Sequence, residues 1–176
     1  MCWSYDNAKT LGIDTLRIGI GGDSAGATLA VGVCMMAKDR EHPVKFLFQM
    51  LPYPYLDARG NSESNKKYTD TPMWNSSLSE RVGPMTKVER DDPSYVYYSP
   101  VEAESFEGLP PAYIETAEFD CLHDDGVLYA QKLREAGVEA VLNETEGTMH
   151  GFDIAVMAPT TKKAIEARIK FMKEHL

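Results

Sequence analysis

The sequence predicts an α/β fold: a mainly parallel sheet flanked by helices. Short apolar runs that end at glycine or proline alternate with helix-patterned segments, and the first run feeds through a glycine-rich turn straight into a helix. Length sets the frame: 176 residues, 43% of them hydrophobic, suffice for one buried core, so a single domain spanning 1–176 is expected.

Leu16–Ile20 (LRIGI) is a short apolar run meeting Gly21-Gly22, the pattern of a buried strand before a sharp turn. Ser24–Lys38 follows as a helix. Ala25, Ala27, Leu29, Ala30, Val31, Val33, Met35 and Met36 cover most of its circumference, so it is expected to be buried. Val44–Leu51 is the second strand, stopped by Pro52 and Pro54. From Asp57 to Gly108 the composition shifts: Asn61–Asp70 is polar, Met73–Val82 weakly helical and Asp92–Ser99 rich in tyrosine. That stretch is too long for an ordinary loop, and 57–108 reads as a cap-like insertion over the carboxyl edge of the sheet. Pro111–Thr116 is the third strand and Ala140–Glu144 the fourth. Between them Val127–Ala136 is a helix, with Asp124 or Asp125 as its cap and Gly137 as its stop. The last helix, Thr160–Leu176, aligns Ile165, Ile169, Met172 and Leu176 on one face, which is expected to pack on the sheet.

Twenty-seven acidic against 18 basic side chains give a net charge of −9, which argues against nucleic acid or an anionic membrane as partner. The best apolar stretch, Ala27–Ala37, falls far short of the roughly 18 residues of a membrane span. No basic segment precedes an apolar one at the amino end, so no secretory leader is expected, and Asn75-Ser76-Ser77 and Asn143-Glu144-Thr145 are not taken as glycosylation sites. Cys2, Cys34 and Cys121 are odd in number and lack CxxC spacing, which fits a reducing, cytoplasmic setting without structural zinc.

Gly22-Asp23-Ser24-Ala25-Gly26 is a G-x-S-x-G sequence with an apolar strand running in and a buried helix running out, the setting of a nucleophile elbow. In such a turn Ser24 Oγ is lifted to the sheet edge, and the Ala25 N–H at the helix start faces a developing oxyanion. A plain strand–helix turn or a phosphate-binding turn would use similar residues. The dinucleotide fingerprint nearly fits, with Gly19-x-Gly21 but Ser24 in place of the third glycine; a Walker sequence is absent.

A serine nucleophile needs a base, and the base an orienting carboxylate. His42 ends the first helix and reads as a dipole partner or solvated residue. His175 at the chain end is expected to be exposed, and His123 lies in an acidic turn beside Asp120, Asp124 and Asp125. His150 is different, lying in the glycine-flanked loop Gly147–Phe152 directly after the fourth strand. Asp120 follows the third strand, and the order Ser24, Asp120, His150 is that of α/β-hydrolases.

GDSAG, the segment Leu109–Val138 (LPPAYIETAEFDCLHDDGVLYAQKLREAGV) and GTMHGF together resemble the hormone-sensitive-lipase-like branch of the α/β-hydrolase esterases and lipases. The resemblance implies a catalytic triad of Ser24 as nucleophile, His150 as general base and acid, and Asp120 as orienting carboxylate. It also implies Ala25 N–H as an oxyanion donor, Asp124 as a helix cap, and carboxylic ester hydrolysis without metal or organic cofactor. Trp74, Met73 and Tyr95–Tyr98 become candidate pocket walls, with packing within the cap as the favoured role. Ala27 stands where the family usually has a third glycine, and Cys121, read as a small buried packing residue, where it has proline.

The larger departure is that no His-Gly-Gly occurs in the chain, whereas the family draws its other oxyanion N–H groups from such a loop. The chain therefore resembles the carboxyl portion of an esterase, without the family's amino-terminal strands. Two expectations follow: weakened esterase activity, and an exposed sheet edge at Leu16–Ile20 covered by self-association, another chain or rearranged segments. The alternatives are a serine peptidase or amidase, a catalytically silent α/β module that assembles or binds a ligand, and, more distantly, a dinucleotide-binding module.

Overall fold

A computed structural model of the chain describes residues 2–86 and 88–176. Two short helices, α1 (Cys2–Asp6) and α2 (Ala8–Leu11), lead into strand β1 (Ile18–Gly21) and helix α3 (Ala25–Asp39). Strand β2 (Phe46–Pro52) is followed by the long excursion, which carries α4 (Glu63–Lys67), α5 (Ser76–Thr86), α6 (Tyr95–Tyr98) and a 3-10 turn at Pro100–Glu102. Then come β3 (Ala112–Phe119), α7 (His123–Glu135), β4 (Ala140–Met149), a 3-10 turn at Phe152–Ile154 and α8 (Pro159–His175).

The sheet is four-stranded, in the order β1-β2-β3-β4, with every neighbouring pair parallel. Parallel strands need crossovers, so all four carboxyl ends, and the loops that leave them, share one edge. The third and fourth strands run past the sequence expectation to Phe119 and Met149. The β3–β4 pairing continues from Thr116↔Glu144 and Ala117↔Thr145, across an irregularity, to Phe119↔Met149. That extension carries β3 to the doorstep of Asp120 and β4 to that of His150.

The main core lies between α3, α7 and one face of the sheet, where Ala27, Val31, Leu51, Ile114, Tyr129 and Leu133 are fully enclosed. Gly126 lets α7 come this close: a Cβ there would lie 2.5 Å from Thr116 Cγ2 and 3.2 Å from Ile114 Cγ2. On α3 the buried residues include Ala27, Thr28, Ala30, Val31, Cys34 and Met35, but Leu29 is 72% exposed. The expectation of burial all round thus fails on the face carrying Leu29. Ala27, in the place of a family glycine, is fully enclosed.

Three further expectations are corrected. On α8 Ile165, Ile169 and Leu176 of the expected stripe face solvent while Met172 packs inward against the Phe48, Tyr113 and Phe171 cluster, and Thr161, Ala164 and Phe171 are the buried residues. The reason is Arg168 on that inner face, which pairs with Glu115 of β3 and with Asp153 and so fixes the rotation of the helix. Neither Asp124 nor Asp125 caps α7, which begins at His123. Asp124 instead accepts the Ser64 N–H at 2.8 Å, and Asp125 Oδ2 accepts the Leu56 and Asp57 N–H groups, each at 3.0 Å. His175 is half-buried, stacked 4.0 Å from the Phe171 ring with Nδ1 2.8 Å from the Phe171 carbonyl.

Cys34 and Cys121 are free and buried, and burial pushes both thiols up to about 12; the Cys2 side chain lies outside the described residues. Among the described residues no helix is long and apolar enough to cross a membrane.

Candidate active site

Three strand ends converge. Ser24 sits between β1 and α3 at φ 55° and ψ −123°, a backbone conformation that side-chain-bearing residues rarely adopt. Its N–H donates to the Pro52 carbonyl at 3.1 Å, and its carbonyl accepts from Tyr55 N–H at 3.1 Å, so the end of β2 and the segment just after it hold the strained turn from both sides. Gly22 makes the turn possible, because a Cβ there would overlap the carbonyl group of Gly26. Gly26 itself has room for a Cβ, with only Asp23 Oδ1 nearby at 3.8 Å.

Ser24 Oγ lies 2.9 Å from His150 Nε2, and His150 Nδ1 lies 2.7 Å from Asp120 Oδ2. The nitrogen facing a carboxylate carries the proton, which leaves Nε2 as the acceptor toward the serine hydroxyl. Asp120 is fully buried, and its other oxygen accepts the Leu122 N–H at 2.9 Å. Both carboxylate oxygens are therefore committed, and one of them aims the imidazole. Ala25 opens α3, so its N–H is among those a helix leaves without an internal acceptor, at the positive end of the helix dipole.

Beside Ser24 opens a cavity of about 370 Å³ lined by Thr28, Leu29, Tyr55, Trp74, Val82 and Tyr98 among others, an almost wholly apolar wall. Trp74 and Tyr98, candidate walls from the sequence, are on it; Met73, Tyr95, Val96 and Tyr97 are not. Trp74, Ser79 and Val82 bring the 57–108 excursion over the site, while Lys87 of that excursion lies outside the described residues. The remaining histidines are elsewhere. His123 is engaged with Asp124 and Glu144, and His42 Nδ1 accepts the Val44 N–H at 3.2 Å. Among the described residues no group of three or more metal-ligating side chains is assembled.

The sequence does not single out Tyr53, whose ring lies edge-on to His150 with centroids 4.9 Å apart. Its only local signal is its place between two prolines at the end of a strand.

Residues 1–154 match the family described as alpha/beta hydrolase fold. The chain belongs to that family. This α/β hydrolase is 31% identical over 168 residues to an arylesterase of Saccharolobus solfataricus, covering 95% of this chain and 53% of the relative. It is 31% identical over 179 residues to the carboxylesterase NlhH of Mycobacterium tuberculosis, covering 99% of this chain and 56% of that one. Among solved structures, a bacterial heroin esterase superposes with a TM-score of 0.91 at 34% identity, over 99% of this chain and 56% of the other. A thermostable esterase from Pseudomonas putida also reaches 0.91, at 30% identity and the same coverage. The α/β hydrolase described here thus spans about half the length of the curated relatives it matches, and its resemblance to the hormone-sensitive-lipase-like esterases holds.

Proposed function

We propose that the chain carries the machinery of a carboxylic ester hydrolase, with Ser24 as nucleophile, His150 as general base and acid, and Asp120 as the orienting carboxylate. The observation that supports this most directly is the unbroken hydrogen-bonded line from Ser24 Oγ through His150 to Asp120. Ser24 Oγ attacks the acyl carbon as its proton passes to His150 Nε2, and Asp120 stabilises the imidazolium from the Nδ1 side. The Ala25 N–H donates to the oxyanion. Collapse of the tetrahedral intermediate returns the proton to the departing alcohol, leaving an acyl-serine that a water activated by His150 then hydrolyses. The apolar cavity beside Ser24 suits an ester with an apolar acyl or alcohol group.

The 176 residues contain no His-Gly-Gly, and Ala25 N–H is the oxyanion donor identified among them. Loss of one such donor costs roughly 10²–10³ in rate, and slow turnover is expected of this chain. A fluorophosphonate probe tests the nucleophile directly. Labelling that disappears in both Ser24→Ala and His150→Ala supports the proposal. Absence of labelling in the folded protein would favour a silent α/β module, and ordinary esterase rates with a short aryl ester would refute the weakened oxyanion site. Preference for a peptide over the ester would favour a peptidase or amidase. As a further part of the same proposal, the free edge of β1 is covered by self-association, by another chain or by rearranged segments, since among the described residues β1 pairs only with β2 and Leu16 beside it is 80% exposed.

A further inference from the structure

We propose that Tyr53 is a positioning residue, its ring holding the His150 imidazole in line with Ser24 while Asp153 and Arg168 hold Tyr53. The inference rests on His150 acting as the base. Tyr53 follows β2 with φ 34°, in the left-handed region, and its N–H is fixed by the Glu115 carbonyl at 2.6 Å. A tyrosine that merely filled space would have no need of that backbone strain. The strained conformation delivers the ring to His150 at an interplanar angle of 63°, an edge-on contact.

The far end of the ring is tethered as carefully. The phenol donates to Asp153 Oδ1 at 2.7 Å, and Asp153 Oδ2 accepts from Arg168 Nη1 at 2.8 Å. The second arm of Arg168 donates to Glu115, which is fully buried in β3 and also accepts from the Tyr113 hydroxyl at 2.9 Å and the Asn143 amide at 3.1 Å. A buried ion pair of this kind adds little net stability over an apolar substitute, so stability alone does not account for it. What it provides is a rigid path from the central strands to the catalytic loop.

The need for such a path is geometric. The bond to Asp120 fixes Nδ1, yet the imidazole can still pivot about it and swing Nε2 away from Ser24. An aromatic ring against its side blocks that swing. The phenol itself points to Asp153, away from the reacting atoms, so its effect is exerted through His150.

The test compares Tyr53→Leu, Tyr53→Met, Tyr53→Phe and Asp153→Ala by three readouts. These are the rate of fluorophosphonate labelling at Ser24, kcat and KM for a p-nitrophenyl ester, and the downfield proton resonance of His150 Nδ1–H in the bond to Asp120. In Tyr53→Leu and Tyr53→Met, labelling and kcat are expected to fall about 100-fold with KM little changed, and the resonance to broaden. Tyr53→Phe, which keeps the ring, restores most of both. Asp153→Ala, which frees the phenol, costs about tenfold. A folded Tyr53→Leu or Tyr53→Met with normal labelling and a sharp resonance overturns the proposal, as does a Phe variant as impaired as the Leu one. If neither aliphatic variant folds, Asp153→Ala decides, and normal labelling and resonance there overturn it. If the unmodified protein neither labels nor turns over, the esterase proposal has failed, and the resonance across the same variants still decides the role of Tyr53.

Discussion

Asp120 and Asp125 lie five residues apart, both buried, and do different work. Asp120 is bound through one oxygen to His150 and through the other to a backbone N–H. Asp120→Asn keeps the size but favours the wrong imidazole tautomer. Labelling and turnover are expected to fall by up to about 10⁴-fold with the fold intact, as measured by probe kinetics and circular dichroism. Asp125 is enclosed, and burial holds its carboxyl well above the usual range even though two backbone N–H groups favour the ionised form. A group whose folded value is raised gives its full benefit below its unfolded value near 4 and loses it as pH climbs through the folded value. Asp125→Asn keeps an acceptor and removes the charge, so its urea midpoint is expected to gain on the parent as pH rises from 4.5 to 8. Asp125→Ala leaves two buried donors unmet and is expected to cost about 1–3 kcal/mol for each at either pH. Ser24, Asp120 and His150 are legible in the sequence because each sits beside a local signal: a glycine turn, an acidic motif, a glycine-flanked histidine. Tyr53 is not, because its partner Asp153 is 100 residues away and no local pattern announces the pairing.

At the scale of elements, α7 and α8 differ in how they are fixed to the sheet. α7 is seated by the bare Cα of Gly126 against Thr116 and Ile114. Gly126→Ala must lift the helix by about the width of a methyl group, at a cost of typically 1–3 kcal/mol, visible as a lower melting temperature. Because Asp120 lies in the turn into α7, the same variant is expected to slow labelling at Ser24. α8 is seated by charge. Its hydrophobic stripe made the outward face look like the buried one, since periodicity counts apolar residues and gives no weight to an arginine. Arg168 reaches Glu115 across the interface and outvotes Ile165 and Ile169, each over a third exposed. The strand runs, by contrast, were readable in place and order because they begin or end near glycine, proline or polar turns, though β1 starts only at Ile18 and the polar second half of β4 carries no apolar run to announce it. The supposed caps of α7 were misread because a buried carboxylate can serve the N–H groups of a distant loop as readily as those of its own helix.

For the whole molecule, the parallel sheet and its crossover helices follow from the alternation of elements, and the family match spans most of the chain. Among the described residues β1 pairs with β2 alone, and composition could not convey this, since net charge and hydrophobic fraction do not order strands. Leu16, just before β1, lies exposed. If self-association covers the edge, light scattering is expected to give a mass above that of one chain, and Leu16→Lys to lower it; a clean monomer for the parent protein would refute closure by self-association.

The strands sit side by side in the order in which they are synthesised, and that order sets when the molecule becomes reactive. Ser24 leaves the ribosome first, and His150, its proposed base, follows 126 residues later just past β4. Arg168, the anchor of the Tyr53 network, comes later still. On the proposed mechanism the nucleophile is therefore made long before His150 can activate it. Reactivity toward a probe during translation would consequently report completion of the sheet's far side, making the serine a clock for the final step of folding.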